Sequence, residues 1–363
     1  MKNLNSKLKY LLTLLIILLI PTLYAAPIKS TPVTKNIIIP ILCYHRVIPN
    51  ANNIYDVTPE TLEKQLRFML DHGYHPITAL QFMNLRKSPR LLPDKPVVIT
   101  FDDGSKGHYQ NVFPILKKLG LKATFFIYPS AVLSRESQKY LTWTELSEMV
   151  KAGMDIECHT LYHPFLVHVH TNISDPKYLQ WLDHQLKDSK KILEKHLNIQ
   201  VKLLAYPFGL FNQLIEEKSI AAGYEGIFTV NGGTNSLNEN SMRLKRMIVN
   251  RNTSTAELES FFHTQPLPLA IISPVDAAIV SSYPVIKFRL TGIKLPKVHI
   301  QVLDNQADLY PDANGDYAYQ ITKSMNGFNL IVVSGYDDHK NYYVSNWCFD
   351  YLIQNPTNDM SKY

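Results

Sequence analysis

The chain has 363 residues, 45% hydrophobic and 19% charged, with a formal net charge of +6. That composition can bury the core of one large domain and a smaller one, and it excludes a chain disordered throughout. Lys2, Lys7 and Lys9 lie in the first segment, and the positive surplus left after them is too weak to argue for nucleic acid or a strong membrane-surface attraction.

The first segment, MKNLNSKLKYLLTLLIILLIPTLYAA, has a basic start, an apolar run over 11–20, and small residues at Ala25 and Ala26. This is the pattern of a secretory signal peptide over 1–25 and predicts export to the periplasm, the cell envelope or the medium. Pro21 ends the run at about half the length a spanning helix needs, roughly 20 residues. An uncleaved anchor is the alternative, so an envelope or membrane association stays open. Three cysteines, Cys43, Cys158 and Cys348, cannot build a disulfide framework. Cys43 and Cys158 end apolar runs and read as buried thiols, with a bridge between them as the alternative.

From residue 37 to about 262, short apolar runs alternate with amphipathic stretches. The runs are IIIPILCY, KPVVITF, KATFFIY, GMDIEC, VKLLAY, YEGIFTV and LKRMIV. Helices are predicted between them over 58–72, 106–119, 143–152, 177–197 and 212–222. The first opens with Thr58 as cap and Pro59 at the first helical position, and places Leu62, Leu66 and Met69 on one face. Strand–helix alternation with continuously apolar strands implies a parallel sheet covered by helices. Seven or eight strands in about 230 residues favour a barrel-like closure. The texture changes at residue 267. PVIKFRLTG, KVHIQVLD, GDYAYQITK, FNLIVVSGYD and YYVSNWCFDY alternate as strands, with turn signals at Asn314-Gly315 and Asn326-Gly327. They predict a small all-β sandwich over 268–352, immunoglobulin-like in layout. The catalytic domain is expected over 36–265, with HTQPLPLA as the linker.

Chemistry in a parallel barrel collects at the carboxyl ends of the strands. Those ends carry His45, then Asp102 and Asp103, then His159 with His163 four residues on, then Tyr206, Pro207 and Phe208, and Arg246. Each signal alone has a plain reading. DDG after a strand is a turn. H-x-x-x-H is weak among 13 histidines. YPFG is an ordinary turn. Together, each just past a parallel strand, they make an oxygen and imidazole set suited to a divalent metal. His168 and His170 in HPFLVHVH read as loop histidines. Tyr162, Phe208, Phe211 and Trp143 are candidate sugar platforms, since a pyranose stacks on a flat apolar face.

TFDDG, HTLYH and YPFG, with NVFPILKKLGLKATFF downstream of the first, resemble the polysaccharide deacetylase family, the NodB homology domain of carbohydrate esterase family 4. PILCYHRV at the front resembles the branch that includes poly-N-acetylglucosamine deacetylases. The resemblance covers residues 37–262 and implies a distorted parallel (β/α) barrel. It implies that Asp103, His159 and His163 bind a divalent metal, Zn2+ before other transition metals, while Asp102 stays off the metal as general base. The implied reaction is hydrolysis of an N-acetyl amide on an N-acetylhexosamine polymer by a water held at the metal, with a backbone N–H near Phe208 at the oxyanion.

Two departures from the family pattern stand out. The histidine that ends a late strand in most members is absent; His263 lies in a predicted helix. PILCYH looks like that strand displaced to the front by circular permutation, which makes His45 the expected general acid. Its plainer reading is a strand-end histidine bonded for packing. Many members also carry an arginine before the proline of the third motif, where this chain has Ala205. Arg246 either supplies the missing guanidinium or is a structural ion-pair residue. An O-acetyl esterase on the same scaffold, and a non-catalytic glycan-binding envelope protein, are the competing functions.

Overall fold

The computed structural model describes residues 37–134, 136–167, 174–323 and 327–351. The signal-peptide segment, His168, His170 and Asn326 lie outside the described residues. No helix among the described residues is long and apolar enough to cross a membrane.

Ten short strands build the first part of the chain: β1 (Ile38–Ile39), β2 (Ile41–Tyr44), β3 (His75–Ile77), β4 (Pro96–Asp102), β5 (Thr124–Ile127), β6 (Asp155–Cys158), β7 (Leu203–Ala205), β8 (Gly226–Phe228), β9 (Asn235–Ser236) and β10 (Met247–Ile248). The main sheet runs β10-β2-β4-β5-β6-β7-β8, with β3 beside β4, and every pair in it is parallel. Its two faces follow the strand period of two. On β4, Val97, Ile99 and Phe101 join the outer core under the helices, while Val98 joins Ile41, Phe126, Leu203, Ala205 and Phe228 in an inner cluster.

The sheet curls until its ends are bridged. Leu244 N–H donates to the Ile227 carbonyl at 2.9 Å, Thr229 N–H to Leu244 at 2.8 Å and Arg246 N–H to Asn231 at 3.1 Å. Immediately afterwards β10 pairs with β2, and Val249 N–H donates to Cys43 at 2.9 Å. One segment, 244–249, therefore bonds both ends of the sheet and completes a distorted (β/α) barrel.

The helix Pro59–Asp71 starts as expected, with Thr58 Oγ1 accepting from Thr61 N–H and Leu62, Leu66 and Met69 buried. Two predicted helices are interrupted. Residues 106–119 hold a π-helical turn, His108–Val112, before Phe113–Leu119. Residues 177–197 resolve into Pro176–Asp183, a π turn and Ser189–Leu197. All three cysteines are free and buried, so the Cys43–Cys158 bridge is not formed.

Nine strands follow: β11 (Gln265–Pro266), β12 (Leu269–Ser273), β13 (Ala278–Val280), β14 (Val285–Leu290), β15 (Val298–Val302), β16 (Asn305–Leu309), β17 (Asp316–Gln320), β18 (Phe328–Tyr336) and β19 (Tyr342–Tyr351). One sheet is β11-β19-β18-β15-β16 with β13 on β19; the other is β12-β14-β17. Ile286, Phe288 and Tyr317 of the second pack with Val298, Ile300, Val333, Trp347 and Phe349 of the first in one core.

The predicted linker is a correction. Gln265 and Pro266 pair in parallel with Tyr343 and Val344, and Leu267 N–H donates to Val344. The apolar alternation of β19 recruits this stretch as an edge strand, so no free tether separates barrel from sheets. Both belong to one compact unit. Ala277 and Cys348 are buried in the barrel's own outer core, and Arg243 ion-pairs with both Glu216 and Asp276.

Candidate metal and catalytic site

The adjacent aspartates diverge because the backbone changes hand between them. Asp102 is the last residue of β4 and follows Val98 and Thr100 in the inward-facing series. There it meets Arg246, which the closing segment carries into the barrel. Arg246 Nη1 and Nη2 donate to the two oxygens of Asp102 at 2.7 Å each. The guanidinium also donates to Thr229 O and Thr100 Oγ1, and its side chain is fully buried. Burial alone would raise the Asp102 carboxyl. Arg246, and after it His159, more than offset that and hold it at about 2.

Asp103 has φ 77°, left-handed for a residue with a side chain. That turn takes its carboxylate off the sheet toward two imidazoles. Asp103 Oδ1 stands 3.5 Å from His159 Nε2 and 3.3 Å from His163 Nε2, and one donor atom from each of the three lies within 4.8 Å of the others. His159 is fixed by its far nitrogen: Nδ1–H donates to the Ala205 carbonyl at 2.7 Å, which turns Nε2 into the site. Thr160 and His163 are also left-handed, at φ 64° and 57°. Clustered strain of this kind is costly and collects at functional sites.

These residues fit a dication. Asp103 Oδ1 is buried without a hydrogen-bond partner, and its 3.3 and 3.5 Å separations from the imidazoles are long for hydrogen bonds. Two donors each about 2.1 Å from a tetrahedral ion stand about 3.4 Å apart. The groups already tune one another. Burial works against the charge on Asp103, but His159 and His163 hold it well below the usual carboxylate range. Burial would lower His159; Asp102 and Asp103 outweigh it and raise the imidazole above its ordinary value. Partial burial, and after it the neighbouring His159, push His163 down to about 4.

His45 arrives from the end of β2. One nitrogen of its ring, Cys43 Sγ and an oxygen of Asp102 lie within 4.8 Å of one another, and its Nδ1 is buried without a hydrogen-bond partner. His263 is elsewhere, exposed at the end of the helix Thr255–His263, its ring bonded to Glu259 O.

The third motif is only partly as expected. Tyr206 is fully buried, stacked on Phe211 at 5.3 Å, with its hydroxyl on Ser219. Pro207 is buried too. Both side chains are packed into the interior at this turn. Phe208 faces outward at 46% exposure with φ 59°. Among the candidate sugar platforms, Phe211 is core. Trp143 stacks on His196 at 4.1 Å, which covers one face of its ring. Tyr162 is exposed.

Three neighbours had escaped the sequence reading. Phe165 stacks on Phe208 at 4.0 Å and 9°, and Phe208 in turn sits edge-on to His163 at 4.7 Å. Tyr128, at the end of β5, has its ring 5.4 Å from that of His163. His108 lies buried behind His45. Tyr128 offered a signal, since it is the last residue of KATFFIY and so reaches the same rim. Phe165 and His108 belong to no strand end.

Residues 90–227 match the family model described as polysaccharide deacetylase. That span is what the chain shares with the polysaccharide deacetylase family. The matched span holds Asp102, Asp103, His159, His163 and Phe208, whereas His45 directly follows β2 and Arg246 directly precedes β10. Among similar deacetylases and their relatives, the YxkH protein of Bacillus subtilis is 27% identical over 226 residues, covering 62% of this chain and 76% of that one. The poly-beta-1,6-N-acetyl-D-glucosamine N-deacetylase of Staphylococcus aureus is 30% identical over 165 residues, covering 44% of this chain. The chain spans 55% of that relative's length. The solved Streptococcus pyogenes deacetylase PplD, in complex with acetate, is 28% identical with a TM-score of 0.56, covering 62% of this chain and 99% of that one.

Proposed function

We propose that this chain is a polysaccharide deacetylase: an exported, metal-dependent hydrolase that removes N-acetyl groups from N-acetylglucosamine-containing polysaccharide. The observation that carries the reading is the division of the two aspartates, one aimed with two imidazoles at a common point and the other clamped by a buried guanidinium. A bound dication at Asp103, His159 and His163, with Zn2+ favoured by two imidazoles and one carboxylate, supplies Lewis-acid polarisation and a water acidic enough to react near neutral pH.

Asp102 accepts the proton of the attacking water. Arg246 keeps it ionised and points its oxygens. The amide nitrogen leaves as an amine only if protonated, and His45, which has one ring nitrogen near Asp102 and its Nδ1 without a hydrogen bond, gives that proton. The Phe208 N–H faces the developing oxyanion. The stacked Phe165 and Phe208 rings form an apolar wall next to His163 against which a sugar face can lie. The two-sheet region, which we read as immunoglobulin-like, braces the loops after β7 and β8 rather than reacting.

The test incubates the mature protein, loaded with Zn2+, with poly-β-1,6-N-acetylglucosamine, chitin oligomers and peptidoglycan, and measures released acetate and free amine. Free amine from wild type and at least a 100-fold loss in Asp102→Asn support the proposal. Acetate without free amine identifies an O-acetyl esterase instead. Silence on every glycan identifies a binding protein.

A further inference from the structure

The His45 ring packs beside Tyr55 at 5.5 Å but its buried Nδ1 has no hydrogen bond to aim it, whereas its backbone is held firmly. His108 Nε2 donates to the His45 carbonyl at 2.7 Å. Asn111 Nδ2 donates to Val47 O at 2.8 Å. A Cβ on Gly107 would stand 2.2 Å from that same Val47 oxygen, so only glycine lets the π-helical turn lie this close to 45–47. On the far side, Val57 N–H donates to Arg46 O, Ile48 N–H to Val57 O, and Arg46 makes a two-pronged pair with Asp56.

His108 is an odd choice for such a pin. It is fully buried, boxed between Phe101 and Phe125 with ring centroids 5.5 Å from each. Its Nδ1 has no hydrogen-bond partner. Burial lowers the imidazole to about 4, so it stays neutral in the tautomer that carries the proton on Nε2. A phenylalanine would fill the box without leaving an unsatisfied buried nitrogen, which is destabilising. What the imidazole adds is one directed N–H, placed on the carbonyl of the residue whose ring faces Asp102.

We propose that His108 is the positioning residue of His45: its Nε2–H bond to the His45 carbonyl sets where the His45 imidazole stands against the departing nitrogen. The proposal rests on the deacetylase reading, with His45 as acid. Misplacement of a reacting group by about 1 Å can cost on the order of 100-fold in rate, and the binding surface is not touched.

The experiment compares wild type, His108→Leu, His108→Gln, His45→Asn and the double variant His45→Asn/His108→Leu, all Zn2+-loaded, on an N-acetylglucosamine oligomer. His108→Leu is expected to lose about 10- to 100-fold in kcat with KM within about twofold. His108→Gln, which can return an N–H to the same carbonyl, should recover to within about fivefold of wild type. In the double variant the leucine should add less than about twofold to the loss from His45→Asn, because residues acting as a unit are not additive. Amide exchange at residues 45–48, read by mass spectrometry, should quicken in His108→Leu and not in His108→Gln.

Full kcat in His108→Leu, a glutamine no better than the leucine, or losses that multiply in the double variant would each overturn the proposal. Exchange at 45–48 that is unchanged in His108→Leu overturns it without any activity measurement. Wild type silent on acetylated glycans, with that exchange still quickened, removes the deacetylase reading and leaves the pin intact.

Discussion

At the residue scale the decisive contact is Arg246 on Asp102. Removing one partner of a buried ion pair leaves the other charge without compensation, at a cost of about 3–5 kcal/mol. Arg246→Met should show that loss in denaturant unfolding at neutral pH. Asp102 is depressed in the folded protein, so the stability it contributes is present above its unfolded value, about 3.9, and is lost as pH falls through about 2. The gap between wild type and Arg246→Met should therefore narrow as pH falls from about 4 toward 2. Arg246→Lys should not rescue, since an ammonium cannot match both oxygens. The imidazoles make a second prediction. His159 is raised above its ordinary value of about 6.5, and a proton on it competes with a metal. Zn2+ affinity, measured by competition with a chromophoric chelator, should already weaken as pH falls from 8 toward 6.5, with protons released on binding. In His159→Gln that slope should flatten along with a large loss of affinity.

At the element scale, the turns decide what the strands present. Gly209 (φ 71°) sits where a Cβ would meet Val230 Cγ2 at 2.4 Å and its backbone nitrogen at 2.7 Å. Phe208 is turned outward because Gly209 allows the chain to press against Val230. Gly209→Ala should cost about 1–3 kcal/mol in stability and lower kcat/KM by at least tenfold, read by thermal melts and acetate release. This is also the scale at which legibility ended. Asp102, Asp103, His159 and His163 were readable because each follows an apolar run that can only be a buried strand, and strand ends in a parallel barrel share a rim. YPFG is contiguous in sequence, whereas the turn sends Tyr206 inward to Ser219 and Phe208 out. His108 was invisible: its partner lies more than sixty residues earlier, and nothing in GHYQN announces that one face of the turn packs on β2. β3 and β16 escaped for a simpler reason. HPI is short with a central proline, and NQADL has no β-branched residue.

At the scale of the whole molecule, barrel and sheets should melt together. Arg243 joins Glu216 to Asp276, Asn212 Nδ2 donates to Asp350, Asn346 donates to Gly232 O, and Cys348 is buried in the barrel's core. Calorimetry of the mature chain should give one cooperative transition. Arg243→Met, which leaves two carboxylates facing each other, should lower its midpoint by several degrees. A chain ending at residue 264 should expose the apolar surface under Ala277 and Cys348 and bind a hydrophobic dye. Two separate transitions, or a truncated barrel as stable as the whole, would mean the sheets are a passenger. The sequence alternation marked the second region correctly as stranded, but a two-residue edge such as Gln265–Pro266 takes its structure from β19, and no local pattern could announce that.

The stretch 244–249 does two jobs with one set of atoms. Its amides zip the first-made edge of the cylinder to the last, and the same backbone ferries a guanidinium inward to its acid. A half-unravelled chain in which that zipper is open loses the guanidinium that clamps Asp102, however well the rest has condensed. On the proposed reading, hydrolysis would require this ring to be shut.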